Sequence, residues 1–311
     1  SRSQAIDRDH ISSRRDPVSQ QGMPRDLVGY GAQPPHAQWP NGARVAVQFV
    51  INYEEGGEHC ILDGDDRSEW LLSDIIGATP YENARHMNME SLYEYGSRAG
   101  FWRLHRLFEK HQLPCTVFAV AQALKKNPEA AKAMVDASWE VASHGLRWID
   151  YQDMPEDQER HHIREAVRIH TEATGERPLG LYQGKPSPNT RRLIIEEGGF
   201  EYDADSYGDD LPYWVPHDGG HHLVVPYTLD VNDMRFVTAS GFANGEQFST
   251  YLKDAFDCLY EEGVSTPRMM SVGLHCRIVG RPGRIGGLER FMKHVLGHDD
   301  VWVCRRIDIA R

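Results

Sequence analysis

Short apolar runs with strand character alternate along this chain with longer segments whose apolar positions recur at helical spacing. The first run, residues 44–53, reads Arg-Val-Ala-Val-Gln-Phe-Val-Ile-Asn-Tyr and predicts a strand. A helix is predicted over residues 96–111, where Phe101, Leu104, Leu107 and Phe108 share one face. Further strands are predicted over 115–120, 139–143, 179–182, near 202, over 222–225 and 269–275, and over 301–303. Further helices are predicted over 128–138, 155–174, 188–197, 246–262 and 285–296, several of them opened by proline. This alternation predicts an α/β fold whose parallel strands form a single-domain, distorted or incomplete (β/α) barrel. The polar, Gly-containing stretch from about 56 to 90 is too long for a simple connection and reads as a lid, a substrate loop or an oligomer contact. Residues 1–23, rich in Arg, Ser, Asp and Gln, read as a flexible tail or tag remnant without the apolar core of a signal peptide, which leaves 24–311 as the barrel domain.

With 311 residues the chain is long enough for one full core. Its net charge of -12, with no Lys/Arg stripe, excludes a nucleic-acid surface, and no apolar run reaches membrane-spanning length. The five cysteines are far apart and form no Cys-x-x-Cys pair, which fits a reducing, cytoplasmic setting. Cys276 beside His275 has the look of a thiol nucleophile, but adjacent strand residues point to opposite faces.

The candidate chemistry sits at strand ends. Glu54 and Glu55 close the first strand before Gly56-Gly57, His144 follows 141–143, and His275 follows 271–274. In a barrel the C-terminal ends of parallel strands converge on one mouth, so carboxylates and imidazoles meeting there make a hydrolytic site.

Asn52-Tyr53-Glu54-Glu55-Gly56 resembles the Thr-Phe-Asp-Asp-Gly motif of the polysaccharide deacetylase (NodB-homology) superfamily, with both aspartates lengthened to glutamate. The segment from Ser143 to Trp148 stands at its His-x-x-x-His motif, and Gly273-Leu274-His275 at its terminal Leu-x-x-His motif. The resemblance tightens on the PuuE-type allantoinases through Pro24-Arg25-Asp26-Leu27-Val28-Gly29-Tyr30-Gly31, Met89-Glu90-Ser91-Leu92-Tyr93-Glu94-Tyr95-Gly96, Asp209-Asp210-Leu211-Pro212-Tyr213-Trp214 and Leu274-His275-Cys276-Arg277. It implies a NodB-type barrel and opening of the hydantoin ring of allantoin to allantoate. By family analogy Glu54 is the general base and His275 the general acid, while Glu55 holds the attacking water or raises the pKa of Glu54 by repulsion, and His144 orients water or stabilises the oxyanion. Asp233 and Arg235 resemble the fourth motif and tune the acid or the base. Glu90, Tyr93, Trp148, Lys185, Asp209, Asp210 and Trp214 fall to substrate binding, with Tyr207 and Tyr213 as further aromatics.

Two departures matter. The family's metal positions correspond to Glu55, His144 and Trp148, and an indole nitrogen has no lone pair to give a metal. The expectation is therefore a site with no cofactor, any weakly held zinc falling to Glu55 and His144 alone. Leu181-Tyr182-Gln183-Gly184-Lys185 departs from the relatives' Trp-Tyr-Thr-Gly-Arg, and a lysine keeps the charge but not the planar fork of a guanidinium. The resemblance further implies a small-molecule ureide substrate, a homotetramer and a place in purine catabolism. The alternative within the same fold is a metal-dependent N-deacetylase acting on an N-acetylated sugar or other linear amide.

Overall fold

The computed structural model describes residues 22–311, so the expected tail lies, but for its last two residues, outside the described residues. Eight strands form one curled sheet in the order β6-β7-β5-β4-β3-β2-β1-β8, and a ninth pairs with β1. The strands are β1 (Val45–Tyr53), β2 (Thr116–Ala119), β3 (Glu140–Ser143), β4 (Gly180–Leu181), β5 (Tyr202–Asp203), β6 (Tyr213–His217), β7 (Gly220–Val224), β8 (Arg268–His275) and β9 (Val301–Val303). All pairings are parallel except the β6–β7 hairpin. Around them run α1 (Met87–Tyr95), α2 (Phe101–His111), α3 (Ala121–Lys126), α4 (Pro128–Asp136), α5 (Glu156–Thr174), α6 (Thr190–Glu197), α7 (Gly245–Glu262), α8 (Pro282–Leu296) and α9 (Arg306–Ala310). No helix among the described residues is long and apolar enough to cross a membrane.

All nine residues of β1 are buried, which is why its run lacks a polar face. Val45, Val47, Phe49, Ile51 and Tyr53 pack outward against the helices. Ala46 and Val50 face inward, onto Phe118, Ala142, Tyr182, Tyr202 and Tyr227. Burying each such Val, Ile or Phe contributes roughly 1.5–3 kcal/mol. This period of two carries past the strand end: Glu54 continues the inward series, while Glu55 turns toward the helices.

The barrel is incomplete because β7 and β8 do not pair. Hydroxyls stand in for that ladder: the Thr228 N–H donates to Ser271 Oγ (2.9 Å) and the Ser271 N–H to Thr228 Oγ1 (3.1 Å). The sheet thus curls into a half barrel whose strand tips still converge.

Several elements differ from the sequence expectation. The helix predicted over 96–111 begins earlier, as α1, and passes into α2 through a π-helical turn, Gly96–Gly100. Close approach demands that turn: a Cβ on Gly96 would meet Glu55 Oε1 at 2.4 Å, and a Cβ on Gly100 would meet the Cys276 carbonyl oxygen at 1.9 Å. Helix α3 and helix α9 carry only six and five residues, too few to show a helical period in sequence. Strand β6, in a stretch between the strands predicted near 202 and over 222–225, holds Pro216, which an edge strand tolerates.

Candidate active site

The inward residues of neighbouring strands deliver the chemistry to one point. His275 lies in register with Asn52, two residues before Glu54, and His144 follows the last residue of β3. Both imidazole Nε2 atoms stand 3.3 Å from the same oxygen, Glu54 Oε1. The three side chains are almost fully buried, at 1%, 1% and 3% exposure for Glu54, His144 and His275.

Each imidazole is oriented from behind. His144 donates from Nδ1 to the Tyr182 carbonyl (2.7 Å), which leaves Nε2 directed at Glu54. His275 Nδ1 donates to Asp233 Oδ1 (2.6 Å). The other oxygen of Asp233 accepts the backbone N–H groups of His275 (2.7 Å) and Val279 (3.1 Å), so this carboxylate is fixed by three donors. Asp233 starts a short 3₁₀ turn whose N-cap, Asn232, accepts the Met234 N–H.

A fourth group lies in this cluster that the sequence reading quoted in a motif but assigned no role. Arg277, only 1% exposed, places Nη2 2.8 Å from Glu54 Oε2 and Nη1 3.3 Å from Glu55 Oε1. Its Nε donates to the Leu72 carbonyl (2.9 Å), and its guanidinium lies 4.2 Å from the Tyr93 ring centroid. Leu72 adopts a left-handed backbone, φ 46°, where it turns this carbonyl toward Arg277. The long stretch after Glu55 thus contributes directly to the site, with Arg147 pinning it through Asp65 and the carbonyls of Gly57 and Glu58.

These contacts set the protonation states. Burial works to raise the Glu54 carboxyl, but His275, Arg277 and His144 together hold it well below the usual range, so it is ionised. Burial, and then the Glu54 charge, push Glu55 up against the pull of Arg277. The expected rise of Glu54 by repulsion from Glu55 is therefore corrected: the repulsion falls on Glu55, which has fewer cationic neighbours. Burial would lower the His275 imidazole, yet Glu54 and Asp233 raise it to about 9, so it is protonated at neutral pH. Since this pKa lies above the ordinary value of about 6.5, the pair stabilises the fold fully below that pH, and the contribution is lost as pH rises through about 9. Burial and Glu55 push the Cys276 thiol well above its normal value, which removes it as a nucleophile.

Trp148 and Lys185 join the cluster. Lys185 Nζ sits 3.7 Å over the Trp148 ring, and the Arg277 guanidinium lies 5.4 Å from the same ring. Burial lowers the Lys185 ammonium against the pull of Glu69 and Glu54. The loop that carries it is held by Asp205, which accepts the Gln183 and Gly184 N–H groups.

The remaining expected substrate residues do not come together with these within one chain. The Asp210 carbonyl accepts the Met269 N–H at the start of β8, the opposite end of that strand from His275, and Asp209 caps Leu211 beside it. Trp214 is 62% exposed on the edge strand β6. Arg235 bonds the Asp230 carbonyl and stacks on Phe242 and Tyr251, so it tunes neither acid nor base by contact. Glu90 is paired with Arg85. Of the further aromatics, Tyr207 hydrogen-bonds Tyr182, and Tyr213 donates to Ser206. A motif that is contiguous in sequence need not converge in space.

Residues 87–190 match the Polysaccharide deacetylase family model. The crystal structure of a probable polysaccharide deacetylase from Pseudomonas aeruginosa PAO1 is 61% identical, with a TM-score of 0.91 over 93% of this chain and 97% of that one. The crystal structure of PuuE allantoinase is 58% identical, with a TM-score of 0.92 over 93% of this chain and 96% of that one. A Schizosaccharomyces pombe protein, named only for the same deacetylase family, is 44% identical over 92% of this chain and 96% of its own length. With a half-barrel that carries its acid and base groups at the strand tips, and with relatives of this identity over nearly its whole length, this chain is a hydrolase that belongs to the polysaccharide deacetylase family.

Proposed function

We propose that the chain is an allantoinase that hydrolyses the cyclic amide of allantoin to allantoate without a bound metal ion. The observation that carries this reading is the 58% identity to PuuE allantoinase over nearly the full length. The site supports it, because ionised Glu54 and protonated His275 are the two forms a general base and a general acid need before the first proton moves.

In this mechanism water enters beside Glu54, which takes its proton as the hydroxyl bonds to the ring carbonyl carbon. His144 orients the water through Nε2, and the Lys185 ammonium, which also feels the Glu54 charge, steadies the oxyanion that forms. The ring C–N bond then breaks, and His275 gives its proton to the departing nitrogen. Asp233 is a positioning residue that keeps His275 charged and aimed. Tyr93 and Trp148 place their rings against the Arg277 guanidinium beside the reacting groups.

The donor set does not fit a divalent ion. Of the family's metal positions, Trp148 offers a donor N–H only, and the Arg277 guanidinium already ion-pairs with both Glu54 and Glu55. Its positive charge lies where two acidic groups otherwise repel. The reading extends to a cytoplasmic homotetramer acting in purine catabolism, and five unpaired cysteines support a reducing setting.

Release of allantoate from allantoin tests the proposal directly. We expect the same rate before and after exhaustive chelation. Loss of activity on chelation, restored by zinc, overturns the metal-free part. No turnover of allantoin, with acetate released from N-acetylated sugars, replaces the substrate assignment by the deacetylase reading.

The alkaline limb of the pH–rate profile gives a second check. Because His275 must be protonated to act, the rate falls as pH rises through about 9. In Asp233→Asn one of the two charges that raise this imidazole is gone, so the fall moves to lower pH. A pH–rate profile unchanged in Asp233→Asn removes Asp233 from the mechanism.

A further inference from the structure

Far from the strand tips, α7 and α8 pack side by side and bring together Asp257, His294 and His298. Among the described residues this is the one set of three His, Cys, Asp or Glu donors whose ligand atoms lie within 4.8 Å of one another. His294 is in the last turn of α8, and His298 lies two residues past its end, where the chain sets the second imidazole beside the first. The location is remote from catalysis: His298 precedes β9, whose Val301 pairs with Val45 at the end of β1 opposite Glu54.

The imidazoles are prepared in ways that an ordinary surface pair is not. His298 donates from Nδ1 to the His294 carbonyl (2.7 Å), which fixes the tautomer and leaves the Nε2 lone pair free. Metal-binding histidines are held in the same manner, with the far nitrogen committed to a carbonyl or carboxylate. His294 Nε2 stands 2.6 Å from Asp257 Oδ1. Phe256 packs edge-on against both rings, at 5.5 Å and 5.0 Å between centroids, and Tyr260 flanks His298 at 5.0 Å. The two imidazoles themselves are 4.6 Å apart at 63°.

We infer that Asp257, His294 and His298 form a second-site receptor for a divalent transition metal such as Zn²⁺, which clips α7 to α8 and takes no part in hydrolysis. Bonds of about 2.0–2.2 Å from one centre need donor atoms roughly 3–4 Å apart. The exposed Asp257 carboxylate closes that small gap by rotation. Two imidazoles and one carboxylate suit zinc, nickel or cobalt rather than calcium or magnesium. Water completes the shell on the solvent side.

The test uses the full-length chain stripped by chelation and titrated with Zn²⁺ alone by calorimetry. Wild type is expected to take up one ion per chain, and the midpoint of its thermal unfolding to rise with zinc, because the ion binds only the folded arrangement. His298→Gln and the double variant His294→Gln/His298→Gln are expected to bind at least about tenfold more weakly and to lose the thermal shift. Unliganded folding of each variant is checked by its unfolding midpoint without metal. Allantoate release is expected to be the same in all three proteins. Equal zinc affinity in the double variant, or no uptake by wild type at about 100 μM zinc, overturns the site. Neither result depends on whether allantoin is the substrate. Zinc found in wild type but not in the double variant, with full activity in both, further separates bound metal from catalytic metal.

Discussion

Glu54→Gln lowers the turnover number for allantoin by about three orders of magnitude, within the range that loss of a general base produces. The exchange keeps the shape and removes two functions at once. An amide cannot take the proton of the attacking water. The second loss is indirect: the Glu54 charge is the first of the groups that raise the His275 imidazole to about 9, so without it the acid loses its proton at a lower pH. The variant's residual rate therefore falls off at lower pH than the wild-type rate does. Substrate affinity changes less, since Oε1 and Oε2 of Glu54 are occupied by the imidazoles and by Arg277. Steady-state rates of allantoate release between about pH 6 and 10 check both parts. A turnover number within tenfold of wild type removes Glu54 as the base.

The ease with which Glu54, His144 and His275 were found has a physical origin. A side chain at the C-terminal tip of a parallel strand has its direction set by the period of two, and strand runs are visible in sequence because burial makes them apolar. The same parity separates Glu54 from Glu55, one inward and one toward Gly96. The alternation of strands and helices was equally legible, since β1, β8 and the long helices bury enough residues to show their period. Strands of two residues, β4 and β5, have no period to display and were visible only as short apolar fragments. Arg277 escaped a role because it lies beyond the strand, in a turn whose direction no period fixes. Its position rests on the Leu72 carbonyl, the Tyr93 ring and two carboxylates drawn from three separate stretches. Asp209, Asp210 and Trp214 share one contiguous motif, but tertiary placement sends them away from the strand tips.

Arg277→Met destabilises the protein by about 3–5 kcal/mol at neutral pH and abolishes hydrolysis. Methionine fills much of the volume, so the loss is electrostatic rather than a cavity. With the guanidinium gone, Glu54 and Glu55 remain buried beside each other, and the histidines and Lys185 are left to oppose their charge. Burying an uncompensated carboxylate is costly, so a proton is bound instead. The sign of the pH dependence then separates the variant from wild type. In wild type the depressed Glu54 carboxyl gives stability that is present above its unfolded value of about 4.5 and is lost as pH falls through the lower folded value. In the variant the carboxyl pair has a raised affinity for protons, so the missing stability is partly restored as pH falls toward 5. The gap between the two proteins is widest near neutral pH and narrows in acid. Arg277→Lys keeps the charge without the two-pronged reach to both carboxylates and falls between them. Urea unfolding of the three proteins at about pH 7.5 and pH 5 measures the gap. A loss below about 1 kcal/mol at pH 7.5, or a gap that widens in acid, defeats the claim that Arg277 supplies the charge that lets two glutamates share this pocket.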